Sequence, residues 1–190
     1  MFIKKDFVKK ADLFYRKHIP KSRPKEAYIR HVELVRKYAL LLGKKYDANL
    51  FIIELAALLH DIGADAGQSH ALKSVELAAE LLSDFKIDKK NKAKILSAIR
   101  NHSMSHSSGG FKRKVVLEDQ IIRDADTLSF LKDTYIAYFK EMLRREPPPE
   151  KAKQVTLEKI RGMLNKVGTN KGKECAKKLY AKAEKHILNF

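Results

Sequence analysis

LFIIELAALLHDIG, residues 50–63, is the stretch whose reading decides how this chain folds. From Leu50 to Leu59 only Glu54 interrupts the apolar run, and its length favours a buried helix over a strand. Asp47 or Asn49 stands where a cap belongs, and Gly63 is placed to stop the helix. His60 and Asp61 then fall at the helix end, where consecutive residues need not be fully helical and two adjacent side chains can converge on one centre. Imidazole and carboxylate suit Zn, Mn, Fe, Ni or Co, and one carboxylate can bridge two ions. The pair therefore reads as part of a metal site.

Working outward, helical periodicity recurs nearly everywhere. Residues 2–18 predict a first helix, broken by Pro20 and Pro24. From Tyr28 to Lys45 the spacing of His31, Val35, Tyr38 and Leu42 predicts one buried face carrying His31. After the doublet, residues 70–85 place His70, Ser74, Leu77 and Leu81 on a common face, and residues 89–102 end an apolar stripe of Ile95 and Ala98 at His102. SMSHSSGG, residues 103–110, reads as a loop that contains His106. Residues 117–146 predict one long helix with Ile122, Asp126 and Phe130 facing inward, closed by Pro147, Pro148 and Pro149. Residues 150–190 predict a helical hairpin, turning at NKVGTN with Thr169 or Asn170 as cap and packing through Ile160, Met163, Leu164, Leu179, Ile187 and Leu188. The expectation is a single all-α domain over residues 1–190. Its motifs lie within 28–135, a basic helical segment (1–27) precedes them, and the hairpin (150–190) follows.

Composition bounds the function. With 44% hydrophobic and 33% charged residues the chain is globular rather than disordered. No run approaches a membrane span, no secretory signal opens it, and Cys175 has no intramolecular partner. A cytoplasmic protein with no membrane association is expected; oligomeric state is left open. The net charge of +17 is concentrated at the ends. Such flanks attract phosphorylated metabolites or nucleic acid, or simply keep lysine-rich helices solvated.

A single histidine on an apolar helix face is ordinarily a core residue hydrogen-bonded to backbone. Four of them with two acids, all on inward faces or at helix ends, call for a common cause, because buried ionisable groups are costly without partners or metal. In order, His31, then LAALLHDIG with His60 and Asp61, then AIRNHS with His102, then IIRDADTLSFL with Asp126, this pattern resembles the HD superfamily of metal-dependent phosphohydrolases. The resemblance extends over roughly residues 28–135, and the tail is similar to the C-terminal hairpin of one uncharacterised hydrolase branch. It implies an all-α helical bundle around a buried mono- or dinuclear site. It further implies His31, His60, Asp61 and Asp126 as ligands of one ion, and His70 and His102 as ligands of a second that Asp61 bridges. Mn, Co, Ni, Fe, Zn or Mg could fill such a site. Asp126 is preferred over Asp124 because the family pattern resembles ADxL; Asp124 is left as an outer group or an exposed partner of Arg123. Where related hydrolases read DADRLD, this chain has Thr127 and Ser129.

The implied reaction is hydrolysis of a phosphoester or phosphoanhydride bond, in a nucleotide or another small phosphorylated metabolite, by metal-activated water. Asp61, His70, His102 and Asp65 are the candidate catalytic groups; with one ion bound, the two histidines would contact phosphate or move protons, and Asp65 would orient water. His106, Lys73, Arg100 and Arg123 are weaker candidates for substrate binding. Two other classes stay open: an HD-fold di-iron oxygenase, and a nucleic-acid-binding protein or nuclease that uses the basic flanks.

Overall fold

The computed structural model describes residues 2–103, 116–145 and 148–190. Within them the chain is all-α, with no strand. The order is α1 (Phe2–Lys17), α2 (Lys25–Lys45), α3 (Leu50–Leu59), a short 3₁₀ turn (Ala64–Ser69), α4 (His70–Ser83), α5 (Lys89–Asn101), α6 (Leu117–Ser129), a π-helical turn (Phe130–Thr134), α7 (Tyr135–Arg145), α8 (Pro149–Leu164) and α9 (Asn170–Leu188).

Helix α3 is the hub, as its composition requires. It buries Ile52, Ile53 and every residue from Leu55 to Leu59, so neighbours cover it on several sides: α2, α5 and α1. Asn49 caps it, its side chain accepting the N–H groups of Phe51 (3.2 Å) and Ile52 (3.4 Å), whereas Asp47 occupies a left-handed turn at φ 49°. Each large aliphatic side chain buried here contributes about 1.5–3 kcal/mol. Leu58→Ala would forfeit that and leave a void, for a loss of about 2–5 kcal/mol. Helix α2 lies between α3 and α6, burying Val32, Val35, Ala39 and Leu42 on the face that also carries His31.

Three expectations need correcting. The buried face of α4 consists of Ala71, Ser74, Ala78 and Leu82, so Leu77 and Leu81 flank it instead of forming it. Helix α4 packs tightest against α5, which turns its smaller residues inward. The long helix over 117–146 is interrupted: Phe130–Thr134 form a single wide turn, after which α7 packs on α8. In the hairpin, Ile160, Met163 and Ile187 are buried as expected, but Leu188, the last residue of α9, is exposed.

Beside its apolar packing and the bond from Lys171 N–H to Tyr46 OH (2.8 Å), the hairpin is fastened to the core by a buried carboxylate. Asp124, on α6 and with no exposed surface, accepts the backbone N–H groups of Gly168 and Thr169 (2.9 Å each), the Thr169 hydroxyl (2.5 Å) and the Gln120 amide (2.6 Å). Thr169 in turn caps α9 by accepting the N–H of Gly172 at 3.1 Å. A Cβ at Gly172 would come within 2.6 Å of the Asp124 carboxylate, so this approach requires glycine. Asp124 is thus neither exposed nor an ion-pair partner at the surface; it fastens the C-terminal hairpin to the helix that carries Asp126.

Candidate metal centre

Five elements deliver six potential ligands to one place: His31 from α2, His60 and Asp61 from the end of α3, His70 from the first turn of α4, His102 from just past α5, and Asp126 from α6. His31, His60, Asp61 and His102 are buried; His70 and Asp126 keep about a quarter of their side chains exposed and mark the open side (25% and 23%).

The local sequence sets the approach. A Cβ on Gly63 would lie 2.6 Å from the backbone N of Ser74, so only glycine lets α4 come this close behind the doublet. The Gly63 N–H donates to the Ser74 hydroxyl at 3.0 Å and fixes that contact.

Backbone carbonyls then fix the ring tautomers. A carbonyl can only accept, so Nδ1 of His60 donates to Ala57 O (2.8 Å), Nδ1 of His70 to Gly67 O (2.9 Å) and Nδ1 of His102 to Ile99 O (2.6 Å). Nδ1 of His31 faces the Ser129 hydroxyl at 3.0 Å, and that hydroxyl donates its own proton to the His31 carbonyl (3.3 Å). Each neutral ring consequently offers the lone pair of Nε2 to the centre, the outer hydrogen bonding that metal-binding histidines use.

Those lone pairs face one another. Nε2 of His31 and Nε2 of His60 are 3.2 Å apart, and Nε2 of His70 and Nε2 of His102 are 3.3 Å apart. Two neutral rings presenting acceptors cannot satisfy such a contact, whereas a shared proton or a metal cation can. The separations match the roughly 3.3–3.4 Å between corners of a tetrahedron with bonds of 2.0–2.1 Å. Asp126 Oδ1 lies 3.5 Å from His31 Nε2, completing a first group of His31, His60 and Asp126. Asp61 spans both groups: Oδ2 is 3.7 Å from His31, and Oδ1 is 3.7 Å from both His70 and His102. The donor set therefore fits one divalent ion, and its two-sided carboxylate fits a second.

Electrostatics agree with this donor chemistry. Burial pushes His60 down to about 4 and His31 below its ordinary value, keeping both rings neutral. Burial opposes ionisation of Asp61, but His102, His60 and Arg23 around it prevail and hold its carboxyl well below the usual range. Burial also disfavours a charged His102, yet the facing Asp61 outweighs it and raises this ring above its ordinary value. The proton favoured there is one that a metal would displace.

Other candidate residues lie elsewhere or are otherwise engaged. Both oxygens of Asp65 are taken by the loop before α2, through Lys21 N–H (2.9 Å), Ser22 N–H (3.1 Å) and the Ser22 hydroxyl (2.8 Å), so they face that loop instead of a water at the histidines. Lys73 pairs with Glu76 on the outside of α4 at 2.9 Å. Arg100 is exposed. Arg123 is buried and donates to the carbonyl of Asn101 at 3.0 Å, steadying the end of α5 next to His102. His106 lies outside the described residues. Sequence reasoning missed Arg23, whose guanidinium donates to Asp61 at 2.9 Å, and Ser129, which orients His31. Ser129 was legible only as a departure from the related pattern; Arg23 had no signal beyond its place in a proline-flanked loop.

A helical protein whose paired histidines, and the aspartate set between them, come from an H…HD…D order belongs to a recognisable class: residues 28–131 match the HD domain family, and the chain belongs to it. The uncharacterised protein YpgQ of Bacillus subtilis (strain 168) is 31% identical over 98 residues, a match covering 52% of this chain and 48% of YpgQ, so the chain spans about half the length of this curated relative. Among solved structures, a HD-superfamily hydrolase from Bacillus thuringiensis superposes with a TM-score of 0.76 at 23% identity, covering 98% of this chain and 96% of that one. The crystal structure of Bacillus subtilis YpgQ in complex with ADP gives a TM-score of 0.72 at 17% identity, with 98% and 94% covered. The two structural likenesses extend over nearly the whole chain. Among the described residues no helix is long and apolar enough to cross a membrane.

Proposed function

We propose that the protein is a metal-dependent phosphohydrolase that cleaves a phosphoester or phosphoanhydride bond in a nucleotide or another small phosphorylated metabolite. The observation that carries this reading is the Asp61 carboxylate, set with one oxygen toward His31 and the other toward His70 and His102. One or two divalent transition metals, or Mg, held there would polarise a phosphoryl oxygen and lower the pKa of bound water toward about 7. The buried rings of His31 and His60 exclude bulk water from one side. His70 and Asp126, on the open side, meet the incoming group, and His70 is placed to hold or pass a proton when it is not ligating. That YpgQ, of the same fold, was crystallised with ADP makes nucleoside phosphates the first compounds to try.

The test is phosphate release from a panel of nucleotides and sugar phosphates with Mn, Co, Ni, Mg or Fe, run beside Asp61→Ala. Metal-dependent turnover lost in the variant supports the reading; no turnover above the variant with any metal overturns it. The same six ligands also suit a di-iron oxygenase, and retained iron with an oxygen-dependent spectrum would decide for that alternative. A role for the flanks in nucleic-acid binding has their charge alone behind it, part of which is paired internally, as in Arg16 with Asp12 and Glu33. Steeply salt-dependent binding would favour it.

A further inference from the structure

Arg23 reaches the centre from outside the family's motifs. Arg23 lies in the loop between α1 and α2, and its Nη1 donates to Asp61 Oδ2 at 2.9 Å while 42% of its side chain remains exposed. The loop is not free to wander. Asp65, four residues after Asp61, gathers Lys21 N–H, Ser22 N–H and the Ser22 hydroxyl at 2.8–3.1 Å, so the segment that carries the doublet also holds the arginine against it.

Charge argues that this guanidinium serves something besides Asp61. The six ligands contribute only two carboxylates, Asp61 and Asp126. Two divalent ions would leave the centre with a net positive charge, and Arg23 adds another. Such an assembly calls for an anion of at least two charges. A guanidinium has five N–H donors in a planar fork that matches a phosphoryl group, and only one is committed to Asp61 here. Asp61 Oδ2 can keep that hydrogen bond while offering another lone pair to a metal.

We propose that Arg23 is a phosphoryl-binding residue of this centre, and that Asp65 is a positioning residue that acts through it; the ligand class is the dianionic phosphoryl group of a phosphate ester or anhydride. The proposal rests on the phosphohydrolase reading, and its test separates the two.

Inorganic phosphate is titrated by calorimetry into the full chain loaded with Mn, for wild type, Arg23→Gln, Asp65→Ala and the double variant, with helical content and Mn affinity measured on each. Arg23→Gln is expected to weaken phosphate binding about 10- to 100-fold, the loss of charge-assisted bonds to one anion, with helicity and Mn affinity retained. Asp65→Ala gives part of that loss, and the double variant binds no more weakly than Arg23→Gln alone, since Asp65 acts through the arginine. Equal phosphate affinity in wild type and Arg23→Gln overturns the proposal. So does a gain in Mn affinity in Arg23→Gln with phosphate affinity unchanged, which would make Arg23 a stand-in for the metal. If phosphate binding depends on Arg23 yet wild type hydrolyses no ester with any metal, the hydrolase reading falls and the phosphoryl site stands.

Discussion

Replacing Asp124 by alanine separates two acids that lie two residues apart in DAD and have opposite roles. Asp124 holds four donors, two of them backbone N–H groups of the hairpin turn, and none of its atoms belongs to the metal-binding groups. Hydrogen bonds to an ionised acceptor are worth about 1.5–3 kcal/mol each. Gly168 is exposed and Gln120 only partly buried, so both can turn to water, which offsets some of the loss, but the N–H of Thr169 is buried and would be left without an acceptor. The net cost of Asp124→Ala is therefore about 3–5 kcal/mol. At about 2–4 °C per kcal/mol for a chain of this size, Tm falls by roughly 10 °C. Asp126→Ala should do the reverse: its side chain is 23% exposed and faces His31, so removal costs less than about 1 kcal/mol in metal-free protein but weakens metal binding at least about tenfold. Melting followed by circular dichroism, paired with calorimetric titration of Mn, measures both quantities on both variants. A Tm within about 2 °C of wild type for Asp124→Ala, or loss of metal binding with the hairpin still folded, would refute the assignment.

Ser129→Ala removes the acceptor for Nδ1 of His31 and should lower metal affinity about tenfold, read by competition with a chelating dye, and cost about 1–3 kcal/mol for the buried donor left behind. Gly63→Ala drives a Cβ into the backbone of α4; it should cost roughly 1–3 kcal/mol and loosen His70, so that a second equivalent of metal binds more weakly than the first. The pH dependence follows from burial of His60 and His31. Their folded pKa values lie below the unfolded 6.5, so the unfolded chain binds more protons below that value. Metal-free protein should therefore hold this share of its stability above pH 6.5 and lose it as pH falls toward about 4; His102, raised instead, opposes the trend in part. Melting points at several pH values in chelator check this, and a Tm that rises on acidification from pH 6.5 to 4.5 would contradict it.

Most of the fold was legible because burial repeats. Helices α2 and α5 announce their inner faces at helical spacing and α3 announces itself by an almost unbroken apolar run, and their histidines sit on or at the end of these elements. The candidate ligands were legible for the same reason: an ionisable residue on an apolar stripe breaks a pattern and so draws notice. Contacts between polar groups far apart in sequence break no pattern. Asp65 meets Lys21 and Ser22 across more than forty residues, and nothing near either partner predicts the other. The role of Asp124 is hidden on similar grounds, because an acid beside an arginine on a helix reads equally as an outer group or a surface pair until the Gly168–Thr169 turn, 44 residues on, is brought against it. The interruption at Phe130 escaped notice because its sequence, FLKDT, contains neither glycine nor proline.

That wide turn has a consequence for how this protein can vary by insertion and deletion. Ser129 and Thr134 both approach Nδ1 of His31, at 3.0 and 3.5 Å. In an uninterrupted α-helix, residues five apart point about 140° away from each other, so the two could not do so together. The turn thus stores one residue of slack between the half of the helix that carries Asp126 and the half that meets α8. Deleting one residue from 130 to 133 would let the helix run straight with Ser129 and Thr134 four apart, only about 40° from their present alignment, so α7 would keep nearly the face it shows now and both hydroxyls would stay on the His31 side. A lineage could therefore lose that one residue without rebuilding its C-terminal half, whereas a second loss would turn α7 by about 100° and break its packing on α8.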